Sequence, residues 1–220
     1  MEKEKAIIFD MDGVIIESEP LYRIAAEKVV NNHGGIYTDE IGKKEMGLGI
    51  IDASRVIIKE TGINNISPES FSKEYMEEYL KISDKMLKKN EGINELISYA
   101  KKEYKIAVAS STNVEIVEKL LKKINLFNEF DFVIGGDMVT KAKPDPEIYL
   151  TASRNINITP DKCTAIEDSL NGAISALKAG MNVLIVKHSL SKHLTFPNTC
   201  IIFENLFEIK NYLSKINNQE

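Results

Sequence analysis

Five short apolar runs, each breaking into polar or glycine residues, limit what this chain can fold into. They are Ala6–Phe9, Ile106–Ala109, Phe132–Ile134, Thr164–Ile166 and Val183–Val186. Near-continuous apolarity over such short stretches marks strands buried on both faces. Helical patterns lie between the later runs. Val114–Ile124 carries apolar residues at 114, 116, 117, 120, 121 and 124. Pro146–Asn155 starts at Asp145-Pro146, read as an N-cap followed by proline at the first helical position. Ser169–Ala179 is capped by Ser169 and closed by Gly180. Strands alternating with helices predict an α/β fold, a Rossmann-like parallel sheet with right-handed crossovers.

About 90 residues separate the first two strands, far more than one crossover needs. They read as helices. One runs from Ser18-Glu19-Pro20 to about Asn32, and a short one starts at Thr38. A third covers Asp52–Glu60, and a fourth runs from Ser67-Pro68-Glu69 to about Lys88. The expected organisation is a catalytic core of residues 1–16 and 89–220 with an α-helical insert at 17–88. A last amphipathic helix occupies the tail, 205–220.

Bulk properties narrow the function. A chain of 220 residues buries enough surface to fold without a disulfide or metal staple. Hydrophobic residues at 43% and charged residues at 28% exclude a wholly disordered chain. The net charge of −5 gives no support for a nucleic-acid binder. Cys163 and Cys200 form no CxxC and are too few for a disulfide framework. The N-terminal apolar run, stopped by Asp10, is too short for a signal peptide, and no stretch reaches membrane-helix length. A cytoplasmic protein without a nucleic-acid or membrane partner is expected. Oligomeric state is not legible, and a monomer is compatible with the sequence.

Acidic and small polar residues gather where the strands end. The first strand runs into Asp10-Met11-Asp12-Gly13, the second into Ser110-Ser111-Thr112-Asn113, and the fourth into Glu167-Asp168-Ser169. Lys143-Pro144 follows the third. Open α/β sheets bind ligands outside the carboxyl ends of their strands, where strand order reverses. With the first strand central, between the second and the fourth, all four clusters share one crevice. Four carboxylates there, at Asp10, Asp12, Glu167 and Asp168, would repel one another unless a hard divalent cation such as Mg²⁺ joined them. Lys143 and the Ser110 hydroxyl suit phosphate oxygens. Backbone N–H groups around Asp12-Gly13 and at the helix start after Ser111 add further donors. An aspartate in such surroundings can attack phosphorus, and a second can shuttle the proton.

These residues carry a resemblance. FDMDGV at 9–14, VASST at 108–112, KPDPEIY at 143–149 and IEDSLNG at 166–172 resemble, in order, the four motifs of the haloacid dehalogenase superfamily. The likeness spans the whole chain, and the insert is similar to that family's helical C1 cap. Transferred by position, the resemblance makes Asp10 the nucleophile and a Mg²⁺ ligand. It makes Asp12 the general acid/base, with its backbone carbonyl on the metal. Ser110 holds the phosphoryl group, Lys143 neutralises charge, and Asp168 ligates the metal. Glu167 is a direct or water-mediated partner of the ion. Gly13, Ser111, Asn113 and Gly47 are candidate substrate contacts. The second aspartate belongs to phosphatases and phosphomutases, not dehalogenases. Glu17-Ser18-Glu19-Pro20-Leu21-Tyr22 resembles the β-phosphoglucomutase-like phosphatases. The mutases themselves usually carry histidine at the position of Tyr22 and an arginine after the glycine matching Gly47. Met46-Gly47-Leu48-Gly49-Ile50 has no arginine, which favours a phosphatase for a small phosphorylated metabolite. A phosphosugar mutase is the alternative, and a binding protein without turnover ranks below both because Asp10 and Asp12 are present.

Plainer roles compete at several positions. Ser111 and Thr112 are either helix caps or phosphate contacts, and Gly47 and Gly49 either a hinge or a substrate loop. Gly135-Gly136 reads as a turn, Cys163 as a small core residue. His33, His188 and His193 lack metal spacing and read as surface residues.

Overall fold

The order of the strands explains how acidic clusters far apart in sequence come to share one sheet edge. The computed structural model describes residues 3–45, 47–187 and 194–218. Its strands are β1 (Ala6–Phe9), β2 (Lys105–Ala109), β3 (Phe132–Ile134), β4 (Cys163–Glu167), β5 (Asn182–Val186) and β6 (Ile201–Phe203). They lie in the order β3-β2-β1-β4-β5-β6, and every pairing is parallel. Phe9 is in register with Val108 on one side and Ile166 on the other. Asp10 and Glu167 therefore emerge side by side, level with Ala109, and Ser110 follows one residue further along. The chain winds outward from β1 through β2 to β3 and then returns to β4 on β1's other flank. That reversal is the switch point at which such sheets bind ligands.

The chain divides into two compact units, one of residues up to Ile16 together with those from Lys89 onward, the other Glu17–Lys88. In the first, β1 is wholly buried. Ala6, Ile8, Ala107, Ala109 and Ala165 pack with Tyr149, Ala173 and Ala176 in one cluster. Alanines at these positions let α7 (Glu147–Asn155) and α8 (Leu170–Lys178) approach the sheet closely. Cys163 lies in the same cluster, and burial pushes its thiol up to about 11. The other helices of this unit are α5 (Ile93–Glu103), α6 (Val114–Lys123) and α9 (Leu206–Asn217).

Three details depart from the sequence reading. Pro146 takes the N-cap position of α7, one residue later than expected, while Asp145 still accepts a bond from Glu147 N at 3.1 Å. β6 is additional to the five strands read from sequence, because its Ile201 and Ile202 are about 40% exposed at the sheet edge and give no buried-strand signal. α5 is likewise additional, although Ile93, Leu96, Ile97 and Ala100 follow helical spacing and are buried.

The second unit is helical: α1 (Glu19–Asn32), α2 (Asp39–Glu45), α3 (Ile50–Thr61) and α4 (Pro68–Met86). Ser67 caps α4 by accepting from Ser70 N at 3.2 Å, a contact that contributes about 1 kcal/mol. α1 packs on α4, with the rings of Tyr22 and Tyr79 stacked at 4.0 Å. His33 is not the surface residue the sequence suggests. Its side chain is 17% exposed, with Nε2 2.9 Å from Glu74 Oε2. His188, His193 and Met46 lie outside the described residues. Among the described residues no helix is long and apolar enough to cross a membrane.

Candidate active site

Each acidic cluster sits at the carboxyl end of a central strand, so the backbone ladder fixes where it points. Asp10 N donates to Ile166 O at 2.9 Å, which ties the end of β1 to β4. Asp10, Glu167 and Asp168 are buried, and each offers an oxygen within 4.8 Å of the others. Lys143, 5% exposed, reaches in from the segment before α7. Its Nζ donates to Asp10 Oδ1 at 2.6 Å, Glu167 Oε1 at 2.7 Å and Ala109 O at 3.0 Å. A fourth, longer contact runs to the Tyr149 hydroxyl oxygen at 3.4 Å.

This arrangement holds more negative than positive charge. Burial, opposed by Lys143 but reinforced by Glu167, Asp168 and Asp12, keeps the Asp10 carboxyl well above the usual carboxylate range. Burial would also raise Glu167, but Lys143 and the donors around it hold that carboxyl below its ordinary value. For Lys143, burial works against the charge, and the carboxylates of Asp10 and Glu167 outweigh it, so the ammonium persists. A buried, all-oxygen, over-negative donor set fits a hard divalent cation. Asp10 and Asp168 would hold it.

Gly13 makes the crowding possible. Its φ is +76°, and a Cβ there would lie 2.0 Å from Asp168 Oδ2. Only glycine accommodates both the left-handed turn and that approach. Asn90 braces the same turn, its side-chain N–H₂ donating to Gly13 O at 2.7 Å and Val14 O at 3.0 Å.

The remaining sequence candidates are distributed as follows. The Asp12 carboxylate is not in the three-carboxylate group, and its Oδ2 accepts from the Thr112 hydroxyl at 3.2 Å. Ser110, fully buried, accepts from Thr112 N at 3.1 Å. Ser111 is exposed, next to that turn. The Asn113 side chain caps α6, accepting from Glu115 N at 3.0 Å. Gly47, φ +73°, belongs to the helical unit. Gly135-Gly136 does more than turn the chain, because Gly136 N donates to Thr112 O at 2.9 Å and so supports the loop after β2.

Three contributors escape the sequence reading. Thr112 contacts Asp12, a role outside the cap-or-phosphate alternatives. Asn90 has no motif to mark it. Tyr149, buried, donates its hydroxyl to Glu167 Oε1 at 2.7 Å. A signal for Tyr149 exists, since a tyrosine on the apolar side of a helix start needs a polar partner.

The family profile described as haloacid dehalogenase-like hydrolase matches residues 7–186. The chain belongs to that family. All four clusters fall inside the matched span. Among its relatives in the family, the phosphorylated carbohydrates phosphatase of Thermotoga maritima is 35% identical over 189 residues, covering 85% of this chain and 87% of that one. The β-phosphoglucomutase of Bacillus subtilis is 29% identical over 185 residues, 80% of each. The crystal structure of CbbY from Rhodobacter sphaeroides in complex with phosphate superposes with a TM-score of 0.84 at 26% identity, covering 93% of this chain and 96% of that one. Haloacid dehalogenase-like hydrolases use a divalent metal, and the buried Asp10, Glu167 and Asp168 give this member a place for one.

Proposed function

We propose that this hydrolase is a Mg²⁺-dependent phosphatase of small phosphorylated metabolites, sugar phosphates foremost, working through a phosphoryl group on Asp10. The observation that carries the reading is the Lys143 ammonium on Asp10 Oδ1, with Asp168 beside it at the switch point of the sheet. The Thermotoga maritima and Bacillus subtilis relatives support the substrate class.

Asp10 attacks phosphorus, a P–O bond forms on its carboxylate, and the bond to the substrate oxygen breaks. Asp12, held by Thr112, gives its proton to the departing oxygen. The resulting Asp12 carboxylate then takes a proton from water as that water attacks phosphorus. The bond to Asp10 breaks and inorganic phosphate leaves. Lys143 offsets charge on Asp10, and the Ser110 hydroxyl is assigned to a phosphoryl oxygen. When bound, Mg²⁺ supplies charge neutralisation between phosphate and carboxylates. Residues 1–16 and 89–220 form the proposed catalytic core, with Gly13, Ser111 and Asn113 as proposed substrate contacts, and residues 17–88 form the proposed cap, in which Gly47 is a further proposed contact.

The test is a phosphate-release screen over sugar phosphates, nucleotides and phosphonates with Mg²⁺. Release from a hexose phosphate without added bisphosphate supports the phosphatase. Isomer formation that depends on a hexose bisphosphate overturns it in favour of the mutase.

A further inference from the structure

The carboxylate of Glu167 is held more completely than that of a metal ligand should be. Its Oε1 accepts from Lys143 Nζ at 2.7 Å and from the Tyr149 hydroxyl at 2.7 Å. Its Oε2 accepts from Asp168 N at 3.1 Å, Ser169 N at 3.3 Å and the Ser169 hydroxyl at 3.0 Å. Five donors serve a group with about four lone-pair sites. Gly172 lets this carboxylate lie against the first turn of α8, because a Cβ there would fall 1.8 Å from Oε1. The seat is therefore built for the carboxylate, and a metal bond would displace donors already in place.

Tyr149 completes the arrangement from the opposite side. It lies six residues beyond Lys143, on the first turn of α7, and is wholly buried. Its single proton goes to Glu167. Toward Lys143 it presents its oxygen at 3.4 Å and its ring, whose centre lies 4.9 Å from Nζ. Both contacts suit a cation.

We propose that Tyr149 is a positioning residue: its hydroxyl fixes Glu167, and Glu167 holds the Lys143 ammonium on Asp10 instead of binding the metal. The inference rests on the phosphatase reading for its kinetic consequence but not for its geometry. Phosphoryl transfer depends on placed charge, so loosening the lysine lowers the rate of the chemical steps. Substrate and metal affinity change little, because neither is held by Tyr149.

The experiment compares wild type with Tyr149→Phe, which keeps the buried ring. Turnover should fall about tenfold, the loss of one hydrogen bond to a charged acceptor, with KM within about twofold. The Kd for Mg²⁺, measured by calorimetry on the substrate-free protein, should stay within about threefold, whereas loss of support to a metal ligand costs about 10–100-fold. In metal-free protein, acylation of Lys143 followed by mass spectrometry should be faster in the variant. Turnover within about twofold of wild type at saturating Mg²⁺ overturns the proposal, as does a loss wholly recovered by added metal. Should Tyr149→Phe fail to fold by circular dichroism, Glu167→Gln answers the same question: lower turnover without a matching rise in the Mg²⁺ Kd upholds it, the reverse overturns it. A wild-type protein that releases no phosphate removes the phosphatase reading alone, and the Mg²⁺ Kd and Lys143 acylation then decide the clamp.

Discussion

Lys143 and Gly13 show how single residues set what the site can hold. The lysine is buried between Asp10 and Glu167, so deleting it strands carboxylates in a low-dielectric place. Lys143→Met should lower the unfolding free energy of the metal-free protein by about 3 kcal/mol near neutral pH. Denaturant unfolding in a chelator checks this, and unchanged stability would mean the pairing contributes nothing. Gly13→Ala pushes a methyl against Asp168 and forces an alanine into φ +76°. Its Mg²⁺ affinity should fall at least about tenfold, because Asp168 must move to make room. Calorimetric titration reads the change, and wild-type affinity would remove Asp168 from the proposed metal site. The lysine and the aspartates are legible in sequence because polar residues directly after apolar strands stand out. Tyr149, Thr112 and Asn90 act through contacts made only when distant segments meet, so their types and local spacing do not announce the partners.

Among the elements, the end of α2 carries a half-buried acid. Glu45 accepts hydrogen bonds from the Tyr37 and Tyr75 hydroxyls. Burial pushes its carboxyl up to about 7 from an ordinary 4.5, although both tyrosines pull the other way. The folded form binds this proton more tightly than the unfolded one. The contribution is therefore complete below about pH 4.5 and is lost as pH climbs through 7. It amounts to at most about 3 kcal/mol. Glu45→Gln mimics the protonated acid, so its melting temperature should fall less than that of wild type between about pH 5 and 8. Parallel melting profiles for the two proteins would contradict this account of Glu45. Most elements announce themselves in the sequence through periodicity and caps. Ser67 before Pro68 and Ser169 before Leu170 both act as the caps they resemble. β6 does not announce itself, because an edge strand with two half-solvated isoleucines has the pattern of a loop.

Across the whole molecule, β1 between β2 and β4 is the arrangement that turns four separated motifs into one site. The alternation of strands and helices implies a parallel sheet, whereas the central place of β1 enters the sequence reading only as the condition under which the clusters meet, and the sheet fulfils it. The division into a sheet-bearing unit and a helical one belongs to the same scale, and so does the proposed dependence on a metal. Chelation with EDTA should stop phosphate release and added Mg²⁺ should restore it. Full turnover in excess chelator would take the cation out of the mechanism. The central claim is that phosphate passes through Asp10. Acid-quenching the enzyme within its first turnover on a reactive phosphate ester, followed by peptide mass spectrometry, tests it most directly. The account expects the added phosphoryl mass on the peptide bearing Asp10, and none in Asp10→Asn, which should also release no phosphate. A phosphorylated side chain elsewhere, or steady release by Asp10→Asn at the wild-type rate, would contradict it.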